Sequence, residues 1–198
     1  MYRLLESISL KDGVLENIEY HQRRLERSRA HFGYVGTFDW APVYALAVLH
    51  PLGWFKIRFE YAQQIEELTC TPYLPKAIKT LKIIHADQID YSFKYADRTK
   101  LNDLYSQRGE ADDVLICRNG LITDTSYCNV AFLRCDIWIT PRTPLLAGTK
   151  REQLLAKGVL IEEDIDLGKL ACFSQIAFIN AFLDIEAVDL ILVPSRDS

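Results

Sequence analysis

The alternation of apolar and polar residues predicts an α+β arrangement for the first part of the chain. Residues 2–10 are rich in Leu, Ile and Ser, which predicts a strand, and the turn signal Asp12-Gly13 returns the chain into a second short strand. Asn17 is placed to cap a helix, which Gly33 is placed to end. The pattern then predicts a helix over residues 39–49 and three strands, Trp54–Tyr61, Ile65–Pro72 and Ile78–His85.

Beyond these strands the pattern predicts short strands that alternate with helices. A polar segment leads into a helix of about Asp97–Gln107, and the dipeptide Asn119-Gly120 favours a tight hairpin. The other predicted elements are strands over 113–117, 121–123, 129–133, 137–140 and 176–181 and helices over Lys150–Ala156 and Leu167–Cys172. The alternation predicts a small α/β lobe of residues 1–88, followed by a larger mixed β lobe with helices over residues 89–198.

Composition and charge narrow the class of protein. Of the 198 residues 49% are hydrophobic, as in ordinary globular chains, and the net charge of −4 gives no reason to expect nucleic acid or an anionic membrane as a partner. The five cysteines include no CxxC spacing, so a metal site is not indicated and reduced thiols in a cytoplasmic protein are expected. Charges at Arg3 and Glu6 argue against a signal peptide, and no apolar run approaches the length of a membrane span.

Two single residues are candidates for chemistry. Lys94 lies between Phe93 and Tyr95 where a polar loop meets a helix, and partial removal from water would favour the neutral amine that forms Schiff bases. Asp124 follows a predicted strand, where a carboxylate can pair with a pyridinium nitrogen. Taken alone, each is more often a surface lysine or an aspartate that begins a turn.

A third candidate is Gly148-Thr149-Lys150-Arg151, where a tight glycine turn enters a helix. The free backbone N–H groups and the positive end of that helix suit a phosphate, and Thr149 and Lys150 add side-chain donors. It is not a Walker motif, because GxxxxGK[ST] is absent, and a plain helix start explains it as well. Arg24 lies in a basic helical segment and is a weaker candidate for a phosphate ligand.

These features occur in the order of a known family. HQRRL (residues 21–25) resembles the H-x-x-R-L helix of class IV aminotransferases, also called fold-type IV pyridoxal 5'-phosphate (PLP) enzymes. NGLITDTSYCNVAF (119–132) resembles the family stretch nG-x-[IV]-[ST]-E-x-x-x-x-N-[ILV]. TPRTPLLAGTKREQLL (140–155) resembles TP-x-x-x-x-[IL]-L-x-G-[IT]-x-R. The resemblance covers most of the chain.

The resemblance implies an α+β fold of two lobes like that of D-amino-acid aminotransferase, with PLP as the cofactor. Lys94 would carry the cofactor and act as the catalytic base, and Asp124 would contact the pyridine nitrogen. The other residues implied to bind the cofactor are Arg24, Asn129, Gly148, Thr149 and Lys150. Lys100 is a rival for the Schiff base, because the LNDLY segment after it resembles the LN-x-L of some relatives. Lys94 is preferred as the lysine that carries the cofactor. If Lys100 carried it, the helix between that lysine and Asp124 would have to be much shorter.

The chain departs from the family pattern at two of these positions. Asp124 stands where the family usually has glutamate, so its shorter side chain must be offset by geometry or a bridging water. Lys150 stands where several relatives have a smaller or apolar residue. Arg58 and Arg98 are further basic residues that could reach the site as ligands of the substrate carboxylate, and neither is placed among the catalytic residues.

The resemblance leaves two reactions and one non-catalytic alternative open. The compact length and the KYADR and DTSYCN stretches look closest to 4-amino-4-deoxychorismate lyase, which makes 4-aminobenzoate and pyruvate for folate biosynthesis. The first alternative is an aminotransferase for branched-chain or D-amino acids, and the second is a binding protein that keeps the fold without catalysis. Because family members carry the active site near a dimer interface, a homodimer that acts on a small-molecule amino substrate is implied.

Overall fold

A computed structural model describes residues 2–189 and 191–193 of the chain. The described residues of Met1–Pro75 and Phe93–Asp97 form one compact unit, and those of Lys76–Ser92 and Arg98–Ser198 form the other. The lobe boundary predicted between residues 88 and 89 stays a prediction.

The first unit is an antiparallel sheet with helices. Its elements among the described residues are β1 (Leu4–Lys11), β2 (Val14–Leu15), α1 (Ile18–His31), α2 (Ala41–Leu49), β3 (Trp54–Tyr61) and β4 (Ile65–Pro72). The strands lie in the order β2-β1-β3-β4, and the β1–β2 hairpin turns at Asp12-Gly13, both with positive φ. The hydrophobic pattern predicted all of these elements, and the structure confirms them to within two residues at each end.

Apolar side chains at alternate positions of β1 and β3 form the core of the first unit. This core contains Leu4, Ile8 and Leu10 of β1, Leu25 of α1, Val43 of α2, and Ile57, Phe59 and Tyr61 of β3. Burying each such side chain stabilises the fold by roughly 1.5–3 kcal/mol relative to leaving it exposed. Phe93 and Tyr95 pack against the same core, and a β-bridge joins Tyr95 to Leu4. These contacts attach Phe93–Asp97 to the first unit although it lies beyond β4 in sequence.

The side chain of Asn17 does not cap α1, which corrects one expectation. Asn17 occupies the N-cap position, but its backbone is left-handed, with φ 57°, and its side chain makes no capping hydrogen bond. Side-chain capping requires an extended backbone at the N-cap, and the left-handed conformation aims the amide away from the helix N–H groups.

The second unit is a mixed sheet with helices. Its elements among the described residues are β5 (Thr80–His85), α3 (Thr99–Ser106), β6 (Asp113–Arg118), β7 (Leu121–Thr125), β8 (Asn129–Arg134), β9 (Ile137–Pro141), α4 (Thr149–Ala156), β10 (Leu160–Glu163), a 3-10 helix (Leu167–Cys172), β11 (Gln175–Ile179), β12 (Val188–Asp189) and β13 (Ile191–Val193). The main strand order is β10-β9-β8-β7-β6-β5-β13, and β11 pairs with β8 and β12. The sequence pattern missed β10, β12 and β13. They have two to four residues, which is too short for a periodicity.

The topology of the second unit brings the ends of β7 and β8 together. Asn119 and Gly120 both have positive φ, 52° and 78°, as a type I′ turn requires, so the predicted hairpin between β6 and β7 is confirmed. β7 pairs with β8 at the single position Asp124↔Asn129. The turn between them is closed by a 2.9 Å hydrogen bond from the Thr125 N–H to the Cys128 carbonyl.

Among the residues that the structure describes, no helix combines the length and the apolar character needed to cross a membrane.

Candidate active site

Asp124 and Asn129 form a buried polar pair where β7 and β8 meet. The Asn129 Nδ2 amide donates to Asp124 Oδ1 at 2.8 Å and also to the Leu146 carbonyl at 2.8 Å. The Leu146 N–H donates to Asp124 Oδ2 at 3.0 Å. Both carboxylate oxygens of Asp124 are therefore held in place, and the segment before α4 is attached to the strand pair.

Asp124 is a buried carboxylate, and its neighbours do not fully compensate the loss of water around its negative charge. Its side chain is 4% exposed, and burial raises the pKa to about 6 although the Leu146 N–H, Asn129 and the charge of Arg151 lower it. Two neutral donors and a nearby arginine do not offset the desolvation of the charged form. A positively charged ring nitrogen would supply that compensation.

Gly148 is required by a close approach rather than by its backbone angles. Its φ and ψ of −71° and 145° suit any residue, but a Cβ at this position would lie 2.0 Å from Asn129 Oδ1. The backbone therefore passes directly over the Asp124–Asn129 pair. Gly148 is also the N-cap residue of α4 and makes no side-chain cap, and the next residue, Thr149, is buried. The unpaired backbone N–H groups in the first turn of this helix suit the binding of an anion.

Lys150 and Arg151 follow in the first turn of α4 and have different surroundings. The Lys150 ammonium lies 2.7 Å from Asp184 Oδ2. Arg151 is buried and donates to the Pro141 carbonyl at 2.8 Å and to Glu162 Oε1 at 2.6 Å. Arg151 thus fastens α4 to the end of β9 and to β10. Sequence reasoning gave Arg151 no role, although it occupies the arginine position of the family stretch.

Arg24 lies in a buried ionic cluster of the first unit. Glu6 is fully buried on β1 and faces the same side as the core residues Leu4 and Ile8. Arg24 donates to both oxygens of Glu6, through Nε at 2.9 Å and Nη2 at 2.5 Å. His21, one helical turn before Arg24, has its Nδ1 2.7 Å from Glu6 Oε2. Sequence reasoning missed Glu6, whose signal was an acidic residue at a core-facing position of an apolar strand.

The cluster keeps Glu6 ionised and His21 neutral. Burial raises the pKa of Glu6, but the charge of Arg24 and the His21 hydrogen bond outweigh it and bring the pKa to about 2. Burial lowers the pKa of His21, with Glu6 opposing, and the charges of Arg24 and Lys94 lower it further. An ionised carboxylate only accepts hydrogen bonds, so the proton of neutral His21 belongs on Nδ1.

Lys94 lies beside β1 of the same unit. Its carbonyl accepts a 2.9 Å hydrogen bond from the Leu5 N–H, and the Ala96 N–H donates to the Arg3 carbonyl at 2.9 Å. The Phe93 ring stacks on His31 with a centroid separation of 4.3 Å. The Lys94 side chain is half-buried. These contacts fix the backbone on both sides of Lys94 against the strand that carries Glu6.

The rival lysine and Arg58 have more exposed settings. Lys100 lies within α3, and its side chain is exposed. Arg58 is paired with Glu60 at 2.6 Å on the partly exposed face of β3. The structure thus groups Arg24 with Glu6 in one unit, where Lys94 also lies, and Asp124 with Asn129 and Gly148 in the other.

The buried Asp124 carboxylate is expected to make the cofactor-free protein less stable as the pH rises. The pKa of Asp124 in the folded protein lies above its ordinary value. The loss of stability from the buried charge is therefore absent below about pH 4, grows as the pH rises toward 6, and is complete above pH 6. The rise from 3.8 to about 6 corresponds to about 3 kcal/mol. The free energy of unfolding of the Asp124→Asn protein, measured with urea between pH 4 and pH 7, should not show this loss.

Asp103→Asn is the matched control for this measurement, because Asp103 is an exposed carboxylate on α3. It should keep the pH dependence of the unchanged protein. Equal pH dependence in Asp124→Asn and the unchanged protein would contradict the burial argument.

Comparisons with known proteins show the family of this chain. The family described as amino-transferase class IV matches residues 64–191. An uncharacterised protein of Haemophilus influenzae is 36% identical over 184 residues, which cover 91% of this chain and 98% of that protein. A solved structure from Haemophilus somnus 129pt, named a "putative 4-amino-4-deoxychorismate lyase", is 37% identical with a TM-score of 0.86, and the match covers 93% of this chain and 98% of that one.

A more distant structure shares the fold alone. The PLP-bound form of a hypothetical aminotransferase from Mycobacterium tuberculosis has a TM-score of 0.77 at 18% identity, over 96% of this chain and 81% of that one. The fold is fold-type IV, and the class of protein is a PLP-dependent enzyme family. The chain belongs to the class IV aminotransferase family.

The residues of the second unit fit the cofactor of this family. Asp124 is a buried acceptor that suits a protonated pyridine nitrogen, and burial raises its pKa to about 6. The backbone at Gly148 approaches closely where a Cβ would clash, and the start of α4 suits a phosphate.

Proposed function

We propose that the chain is a PLP-dependent lyase that converts 4-amino-4-deoxychorismate into 4-aminobenzoate and pyruvate, a step of folate biosynthesis. The observation that carries the cofactor part is the buried Asp124 carboxylate, held by Asn129 and the Leu146 N–H. The reaction itself is supported by the 37% identity, over nearly the whole of both chains, with the Haemophilus somnus protein of that name.

In this proposal the named residues divide the work of holding the cofactor. Asp124 keeps the pyridine nitrogen protonated, and Asn129 orients Asp124. The backbone at Gly148 and Thr149 receives the phosphate, and Lys150 adds a positive charge although Asp184 already pairs with it. Arg24 is the phosphate ligand of the first unit, with its guanidinium oriented by Glu6. When bound, the cofactor withdraws electrons from the carbon that carries the amino group of the substrate.

Lys94 is the proposed base. Its Nζ takes the proton from the carbon that bears the substrate amino group. Loss of the enolpyruvyl group as pyruvate then makes the ring aromatic. The contacts of the backbone around Lys94 with Arg3 and Leu5 hold this base on an ordered segment rather than on a mobile loop.

Product analysis of the PLP-loaded protein tests the reaction. Incubation with 4-amino-4-deoxychorismate alone should release 4-aminobenzoate and pyruvate in equal amounts, measured by chromatography and by a lactate dehydrogenase assay. No oxo acid should be needed. Turnover that requires an oxo-acid acceptor and releases no pyruvate from this substrate would refute the lyase and support the second candidate, an aminotransferase, which the family description favours.

The proposal includes a cytoplasmic homodimer. The dimer is supported by the resemblance to the family. The cytoplasmic location is supported by the cysteines, since all five are free thiols.

A further inference from the structure

Arg98 carries a positive charge with no carboxylate beside it in the described part of the chain. Its Nη2 donates to the Ser126 carbonyl at 2.7 Å, and its Nη1 donates to the Tyr91 hydroxyl at 3.4 Å. Its guanidinium carbon lies 4.8 Å from the centroid of the Tyr127 ring. These partners are all neutral, and the side chain is half-buried.

Three other buried or half-buried arginines have an acidic partner. Arg24 pairs with Glu6, Arg134 with Glu163 at 2.5 Å and Arg151 with Glu162 at 2.6 Å. A half-buried guanidinium whose described hydrogen-bond acceptors are all neutral keeps its attraction for an anion, because none of those acceptors carries a negative charge.

Arg98 is attached to the turn that follows Asp124. Its acceptor, Ser126, lies between Asp124 at the end of β7 and Asn129 at the start of β8. The Ser126 hydroxyl donates to Asp113 Oδ1 at 2.6 Å, and both residues are buried. Asp113 therefore fixes the peptide that positions Arg98, and the guanidinium is preorganised on the same turn as the proposed cofactor ligands.

Tyr127 adds an aromatic surface next to this charge. It is 59% exposed, although the Arg98 guanidinium lies over its ring and the Tyr105 ring packs against it with a centroid separation of 5.9 Å. A guanidinium next to an accessible aromatic face suits a carboxylate carried by a planar ring, because the carboxylate takes the charge and the ring takes the face.

We propose that Arg98 is a specificity-determining residue that binds a carboxylate of a ring-containing amino substrate. This inference rests on the proposed function for the identity of the substrate. The expectation that Arg98 binds a negatively charged group attached to a ring follows from the surroundings of Arg98 alone.

Ligand binding tests this proposal without relying on turnover. Calorimetry on the PLP-loaded protein would compare 4-aminobenzoate with 4-aminobenzamide, which has the same ring but no negative charge. The unchanged protein should bind the carboxylate about 10- to 100-fold more tightly, as a charge-assisted hydrogen bond predicts. Arg98→Gln should remove this preference, and Arg98→Lys, which keeps the charge but not the planar fork, should keep part of it.

Arg108 offers a matched control. It is also half-buried, its guanidinium carbon lies 4.0 Å from the Tyr105 ring, and it donates to the Tyr105 carbonyl at 3.2 Å. It lies beyond α3 and makes no hydrogen bond to the turn after Asp124 among the described contacts. Arg108→Gln should keep the preference for the carboxylate.

The outcomes separate this inference from the proposed function. No preference in the unchanged protein, or a full preference in Arg98→Gln, would overturn the role of Arg98. If Arg98→Gln does not fold, a full wild-type preference in Arg98→Lys overturns it and a reduced one supports it. A preference lost in Arg98→Gln, in a protein that releases no pyruvate from 4-amino-4-deoxychorismate, would refute the lyase and leave the carboxylate site standing.

Discussion

Lys94→Ala should abolish turnover and the visible absorbance of the protein loaded with PLP. Alanine has no amine to bind the cofactor covalently and no base to move the substrate proton. Loss of a general base alone costs about 10²- to 10⁴-fold in rate, and loss of the covalent attachment adds to it. The fold should persist, because the segment is held to β1 by backbone hydrogen bonds and by Phe93 and Tyr95, which the substitution leaves in place.

The measurement distinguishes Lys94 from its rival. Borohydride treatment of the loaded protein, followed by peptide mass spectrometry, should find the cofactor on the peptide containing Lys94. Lys100→Ala is the control, because Lys100 is an exposed lysine of α3, and it should keep both colour and turnover. Label on Lys100 would move the catalytic role there. Absence of label on either lysine would favour a binding protein without catalysis.

Glu6→Gln should lower the free energy of unfolding by about 3–5 kcal/mol, the usual cost of removing one partner from a buried ion pair. Glu6 is fully buried and accepts from Arg24 and His21, so the variant removes the negative charge that both residues contact in the core. Urea unfolding at pH 7 measures this loss. Glu66→Gln is a suitable control, because its ion pair with Arg3 at 2.7 Å is well exposed and should matter little.

The pH dependence gives this prediction a second measurement. Since the folded pKa of Glu6, about 2, lies below its ordinary 4.5, its stabilisation is present above pH 4.5 and is lost as the pH falls toward 2. The difference corresponds to about 3 kcal/mol. The unchanged protein should lose this amount on acidification, whereas Glu6→Gln should not. Equal acid sensitivity in both proteins would mean that the cluster does not stabilise the fold.

Local signals in the sequence were sufficient for most of the fold. The turns Asp12-Gly13 and Asn119-Gly120 and the period-2 strands predicted the hairpins, because those signals act between neighbours in the chain. The strand β10 could not be predicted in this way. One of its four residues is buried, and the strand depends on pairing with β9, which lies beyond the intervening helix α4.

The candidate site was also predicted only in part from the sequence. The order of motifs along the chain was enough to name Lys94, Asp124 and Gly148 as candidates, and all three lie within residues 64–191, which the family matches. Their roles stay proposals. The contact that explains Gly148 joins it to Asn129, which lies on a different strand, and no spacing rule predicts a 2.0 Å approach.

The sequence alone predicted most of the elements, the class of fold and the candidate residues, because turn chemistry, hydrophobic period and motif order are properties of short segments. Only the tertiary structure decided that Glu6 is the partner of Arg24, which lies 18 residues away, and that Arg98 has no such partner among the described residues. The physical reason is that a buried charge is compensated by whatever the packing of strand against helix brings within hydrogen-bonding distance. That distance is a property of the assembled core and not of any segment of the chain.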